Sequence, residues 1–183
     1  MISPVSKNQR LERVSLESGL MAYRCPSSKG VFISVGAYFR WLAQQPGRLP
    51  HLPAAETRAQ KPVDDDSRVK ICPESGQIMQ RFAVGHGFSF HVDRSPTGSI
   101  WLDGGEWESL RARNFHDELR LIFTAPWQDQ IRHSRSIETR REPLVERLGP
   151  DLFARVEQLR IELSGHEQRN LALAHLQNTK GDE

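Results

Sequence analysis

Sliding this chain against itself by 69 positions brings separate landmarks into register, and that repeat limits the fold more than any other feature. Ser3-Pro4-Val5-Ser6 falls on Cys72-Pro73-Glu74-Ser75, and Gly30-Val31-Phe32-Ile33-Ser34 falls on Ser99-Ile100-Trp101-Leu102-Asp103. Farther along, Gly36 meets Gly105, Tyr38 meets Trp107 and Trp41 meets Leu110. Few of these are identities, but proline-bearing, aromatic and turn positions coincide together. The chain therefore reads as two copies of one small unit. Unit one covers residues 1–43 and unit two covers 70–114, with a helical region over 115–183. Between the units, residues 44–69 hold Pro46, Pro50, Pro53 and Pro62 with the acidic run Asp64-Asp65-Asp66. Prolines at that density oppose regular structure, so this stretch is predicted to be a tether, packed in places through Leu49 and Leu52.

In unit two, residues 77–82 and 88–92 are predicted strands, and Gly85-His86-Gly87 supplies the positive φ of a tight turn. Residues 99–102 make a third strand. Asp103-Gly104-Gly105 turns the chain into a helix over 106–114, whose acidic first turn suits the positive end of the helix dipole. Unit one repeats the plan, with a strand over 30–34 and a helix over 37–43. Beyond it, residues 115–123 are predicted to continue the second helix, with Thr124 capping the next and Pro126 in its first turn. Gly149-Pro150 stops one helix and starts another. From there Leu152, Val156, Leu159 and Leu163 recur at the helical period and draw one apolar stripe, which is expected, like Trp107 and Leu110, to serve as internal packing and leave the remaining surface to a partner. Ser164-Gly165 interrupts it before residues 171–176 resume. The predicted class is α+β.

The turns of the repeat carry the outline of a metal site. A closed zinc ribbon needs two Cys-x-x-Cys knuckles, because four ligands must complete a tetrahedron. Here Ser75 stands where the first knuckle of unit two would hold its second cysteine, and the second knuckle of that unit has no cysteine. The offset sets Cys25 on Arg94, so Cys25 belongs to the second knuckle of unit one and Cys72 to the first knuckle of unit two. Neither unit keeps a pair.

With Cys72-Pro73, Gly76 and Ile100-Trp101-Leu102-Asp103-Gly104-Gly105-Glu106, the stretch 72–110 resembles the bacterial transcription-factor-IIB-type zinc-ribbon family. The resemblance implies a small ribbon associated with transcription, with structural residues Cys72, Pro73, Trp101, Leu102, Asp103, Gly105 and Glu106. Of the implied ligand positions only Cys72 carries over, with Ser75 at the second and Ser95 and Gly98 near the others. No cofactor is expected, zinc included. Structural zinc contributes roughly 10–16 kcal/mol to folding, and aromatic packing is expected to replace it. Phe32, Tyr38, Phe39 and Trp41 are available in unit one, and Phe82, Phe88, Phe90, Trp101 and Trp107 in unit two.

Composition narrows the setting. Hydrophobic content of 37% is enough for a core, and a net charge of +2 gives no overall field to attract nucleic acid. The apolar runs are too short to span a membrane, so no membrane partner is expected. Residues 1–10 are polar and lack the apolar core of a secretory signal. Two cysteines without an export signal read as reduced thiols in the cytoplasm.

Catalytic chemistry finds little footing. Ser89 lacks the glycine framing of a nucleophile elbow, and Glu106 and Glu108 diverge on a helix. A rebuilt metal site would draw on Cys72, His86 and His91, although a regular strand sets two residues five apart on opposite faces. Arg111, Arg113, Arg120, Arg132, Arg135, Arg140 and Arg141 crowd one stretch that phosphate could engage, yet acidic residues interleave with them as on a salt-bridged surface. Trp127 reads as a core anchor. The sequence favours a non-enzymatic adaptor with a protein partner, with a nucleic-acid-binding accessory factor as the alternative and a metalloenzyme third.

Overall fold

A computed structural model describes residues 1–6, 8–47, 50–52 and 68–177. Each half of the repeat builds an antiparallel hairpin, a short third strand and a helix. Unit one supplies β1 (Glu12–Glu17), β2 (Leu20–Arg24), β3 (Val31–Ile33) and α1 (Val35–Leu42). Unit two supplies β4 (Gln80–Gly85), β5 (Phe88–Arg94), β6 (Ile100–Leu102) and α2 (Glu106–Ala112). The hairpins share a register: Glu12 faces Arg24 as Gln80 faces Arg94, and Val14 faces Ala22 as Phe82 faces Val92.

The halves join into one antiparallel sheet of order β1-β2-β3-β6-β5-β4. At the seam Val31 pairs with Leu102, Phe32 with Trp101 and Ile33 with Ile100. Phe32 and Trp101 are also superposed by the 69-residue offset. A residue that pairs with its own repeat equivalent lies on a twofold, so an approximate dyad passes between these two side chains. The fold is α+β, and the two units are halves of a single sheet.

Strand alternation sends the seam residues to two faces. Val31, Ile33, Ile100 and Leu102 join a core with Tyr38 and Trp41 of α1 and Trp107 and Leu110 of α2. Phe32 and Trp101 turn to the other face, where they meet Leu11, Met79, Cys25 and Cys72. Most of the aromatic residues therefore fill the helix side. Only Phe32 and Trp101 are fully buried on the side that holds the knuckle turns, and Phe39 is exposed.

The helix predicted over 106–123 is broken. Asn114 adopts φ 60°, a short 3-10 turn (His116–Glu118) follows, and only then does α3 (Leu119–Ile122) begin. The break is pinned by Tyr38, whose hydroxyl donates to His116 O at 3.1 Å and accepts from Leu119 N at 3.1 Å. The first predicted strand of unit two starts later than expected, at Gln80, because Cys72 to Gln77 is a turn. Thr124 does not cap forward: its hydroxyl donates back to Leu121 O. Trp127 anchors to the sheet, donating to Val84 O at 3.0 Å.

Of the tether, residues 48–49 and 53–67 lie outside the described residues, including Leu49, Pro53, Pro62 and the aspartate run. Its described part docks through the backbone and a ring. Asn114 Nδ2 donates to Pro50 O, Arg113 Nε to Leu52 O, and His51 stacks on Phe115 with centroids 3.7 Å apart.

The chain divides into two compact units, Met1–Arg132 and His133–Glu183. The second comprises the end of α4 (Ala125–Leu148), then α5 (Pro150–Ser164) and α6 (Arg169–Gln177). The stops at Gly149-Pro150 and Ser164-Gly165 fall where the sequence puts them. Among the described residues no helix is long and apolar enough to cross a membrane.

Candidate functional site

Four turns of one design line the knuckle side of the sheet. Ser3-Pro4-Val5-Ser6, Cys25-Pro26-Ser27-Ser28, Cys72-Pro73-Glu74-Ser75 and Ser95-Pro96-Thr97-Gly98 each place proline second. In each, the first residue donates its N–H across the loop at 2.8 Å: Ser3 to Gln9 O, Cys25 to Gly30 O, Cys72 to Gln77 O and Ser95 to Ser99 O. Each loop also contains a residue in the left-handed region, namely Asn8, Lys29, Gly76 and Gly98. Cys25 thus corresponds to Ser95. The equivalence of Cys25 with Arg94, taken from the offset alone, is off by one because the loop in unit two is one residue shorter. The recurring Ser/Cys-Pro-x-Ser/Gly pattern is the signal in the sequence that identifies all four.

These turns mark out the corners that a ribbon metal would need. Unit one offers Ser3, Ser6, Cys25 and Ser28, and unit two offers Cys72, Ser75, Ser95 and Gly98. One thiol among hydroxyls, with a corner that has no side chain in unit two, does not fit zinc, which selects thiolate, imidazole and carboxylate. Among the described residues no group of three or more His, Cys, Asp or Glu side chains is gathered as a metal site requires. His86 packs among Trp127 and Phe115, on the helix side. His91 lies between Phe90 and Val92, both of which point to that side, so it points away, and Cys72 belongs to the knuckle-side cluster. The structure does not bring Cys72, His86 and His91 together.

The hydroxyls instead take over one duty of a thiolate, which is to accept backbone N–H groups. Ser3 Oγ accepts from Ser6 N at 3.2 Å and Ser95 Oγ from Ser99 N at 3.0 Å, as Cys72 Sγ accepts from Ser75 N at 3.5 Å. These bonds close three of the four turns from within. Cys25 lies among the serines of unit one, its sulfur 3.3 Å from Ser27 Oγ, which in turn donates to Ser6 Oγ at 3.0 Å. Burial pushes the Cys25 thiol up, but hydrogen bonds from the side chains of Ser27, Ser28 and Ser3 and from the Ser28 backbone outweigh it and bring it down to about 6.

A lowered folded value contributes stability that is complete above the ordinary thiol range and fades as pH falls through about 6. Thiolate ultraviolet absorbance of the folded chain should therefore rise near pH 6. That rise should vanish in Cys25→Ser and persist in Cys72→Ser. A titration confined to the ordinary thiol range would reject the assignment.

Below the turns of unit two lies a network the sequence reading missed. Lys70 Nζ is 2.7 Å from Asp93 Oδ2 and 2.7 Å from Asp103 Oδ2, all three buried. Asp103 Oδ1 accepts from Trp101 Nε1 at 2.7 Å, and Glu106 Oε2 accepts the Asp103 N–H at 2.7 Å. The Trp-Leu-Asp-Gly-Gly-Glu run is thereby explained. Its tryptophan and aspartate hold each other, its glutamate closes the helix start, and a side chain at Gly104 would meet Ser28 O at 2.4 Å. Cys72 and Pro73 form the turn that follows Lys70, Leu102 is core, and Gly105 takes φ 88° at the entrance to α2.

The arginine stretch does not form one surface. Arg111 pairs with Glu17 at 2.7 Å and Arg132 pairs with Asp129. Arg113 is buried, stacks over Phe88 and donates to His86 O and Leu52 O. Arg141 lies over the Phe153 ring. Arg120, Arg135 and Arg140 are exposed. Glu106 is committed to Asp103 and Glu108 to Arg24, so the two glutamates serve different partners. In comparisons with protein-family models, curated proteins and solved structures, nothing matches this chain.

Proposed function

We propose that the chain is a non-enzymatic adaptor in which a degenerate tandem ribbon serves as a metal-independent body and the C-terminal helices bind a protein. The observation that carries this reading is the stripe on α5, which, unlike the buried Trp107 and Leu110, is not the internal packing expected of it: Leu152, Val156 and Leu159 are 46%, 45% and 37% exposed, while Phe153 alone on that helix is buried. Large apolar side chains repeated on one helix face are the usual anchors of a helix-in-groove contact. Charged residues flank the stripe, among them Arg155, Glu157, Arg160 and Glu162, as a rim would require. Two free thiols suit a reducing compartment such as the cytoplasm. The transcription-related, nucleic-acid reading draws less support, since Arg111, Arg113, Arg132 and Arg141 are engaged within the chain.

Affinity capture with the full chain, compared with the triple variant Leu152→Ser/Val156→Ser/Leu159→Ser, tests the proposal. A partner should be retained by the parent and fall by about tenfold or more with the variant, as for loss of interface anchors. Thermal unfolding of the sheet unit should be unchanged. Equal retention by both chains, or retention limited to salt-sensitive nucleic acid, would overturn it.

A further inference from the structure

The repeat is broken at one place on the helix side, and the break leaves a pocket. At the end of β2, Arg24 donates to Glu108 of α2 at 2.9 Å. The same position at the end of β5 is Arg94, and the residue of α1 equivalent to Glu108 is Phe39. The carboxylate that would satisfy Arg94 is therefore replaced by a ring. The segment carrying α3, which has no counterpart in unit one, walls the gap and brings Arg120 to its edge. The result is a cavity of about 310 Å³ lined by Arg94, Arg120, Phe39, Phe123, Val35 and Ile100, among others.

We propose that this pocket binds a small organic carboxylate with an apolar body. Among the described residues neither Arg94 nor Arg120 has a carboxylate partner. Arg94 is held at the wall with its guanidinium 5.4 Å from the centre of the Phe123 ring. The other polar groups that line the pocket are occupied, Tyr38 by His116 and Leu119 and the Thr124 hydroxyl by Leu121 O. The free donors are thus guanidinium groups, which match carboxylate oxygens in pairs. The walls are mostly apolar, so a hydrated inorganic anion would leave them unfilled. The volume suits a ligand of about ten heavy atoms, at the low end of small-molecule sites.

Calorimetric titration of the full chain with benzoate, benzamide and inorganic phosphate separates the terms. Benzoate should bind, and benzamide and phosphate should each bind at least about tenfold more weakly, since one lacks the charge and the other the apolar body. Arg94→Gln and Arg120→Gln should each weaken benzoate by about tenfold. Phe39→Glu restores the missing acid beside Arg94 and should abolish binding, while the exposure of Phe39 leaves the fold and the melting temperature intact. No benzoate binding, equal binding of benzamide or phosphate, or indifference to Arg94→Gln and Phe39→Glu would each overturn the proposal.

Discussion

Replacing Lys70 with methionine should lower the free energy of unfolding by about 3–5 kcal/mol, the cost of leaving buried charge without its partner. The ammonium and both carboxylates are nearly sealed from solvent, with side-chain exposures of 0%, 3% and 2%. Burial alone would lower the Lys70 pKa, but hydrogen bonds and attraction from Asp103 and Asp93 outweigh it and hold the value above the ordinary lysine range. Lys70 therefore contributes stability that is complete below that range and is lost only as pH rises through the raised folded value. In the variant the sign reverses. Burial already lifts the Asp93 carboxyl, against the pull of Lys70 and Arg81, and removing Lys70 lifts it further. The penalty should then be greatest at neutral and alkaline pH and shrink as acid protonates Asp93. Urea unfolding of both chains across that range measures it. The triple change Lys70→Met/Asp93→Asn/Asp103→Asn should recover at least half the loss, because what hurts is the unpaired charge. A cost below about 1 kcal/mol with no pH dependence would mean that water reaches the network.

That network also shows where sequence reading stops. Phe32 and Trp101, Tyr38 and Trp107, and Trp41 and Leu110 were recognisable as equivalents because burial selects large apolar side chains at matching places. Gly149-Pro150 was recognisable because its physics is local. Lys70, Asp93 and Asp103 come from three segments that meet only once β5 and β6 have paired, and no periodicity records the meeting. The loss of one residue between Ser95 and Ser99 is equally silent until hydrogen bonds identify the corners. Serine at those corners reads as a lost ligand in one dimension. In three it is an acceptor for the same N–H groups. The pocket beside Arg94 required both views, the repeat to predict an acid at position 39 and the structure to show α3 closing the space.

Gly30→Ala should cost about 3 kcal/mol, the upper end for forcing extra volume into a packed core, although alanine is the smallest possible addition. A Cβ at Gly30 would lie 2.3 Å from Trp101 Cζ2. The indole has no room to retreat, being fully buried with its N–H tied to Asp103. The dyad explains why the pair is matched in size. Its mirror image sets Ser99 with Phe32, a larger residue at the glycine position and a smaller ring at the tryptophan position. Trp101→Phe alone should be destabilising, since it opens a void and leaves Asp103 Oδ1 without its donor. Combining Gly30→Ala with Trp101→Phe should cost less than the two single changes added together, with a coupling of at least about 1 kcal/mol. Chemical denaturation of the four chains gives that term directly. Strict additivity would mean that the sheet seam yields elsewhere, and that the size exchange across the dyad is not what fits the two halves together.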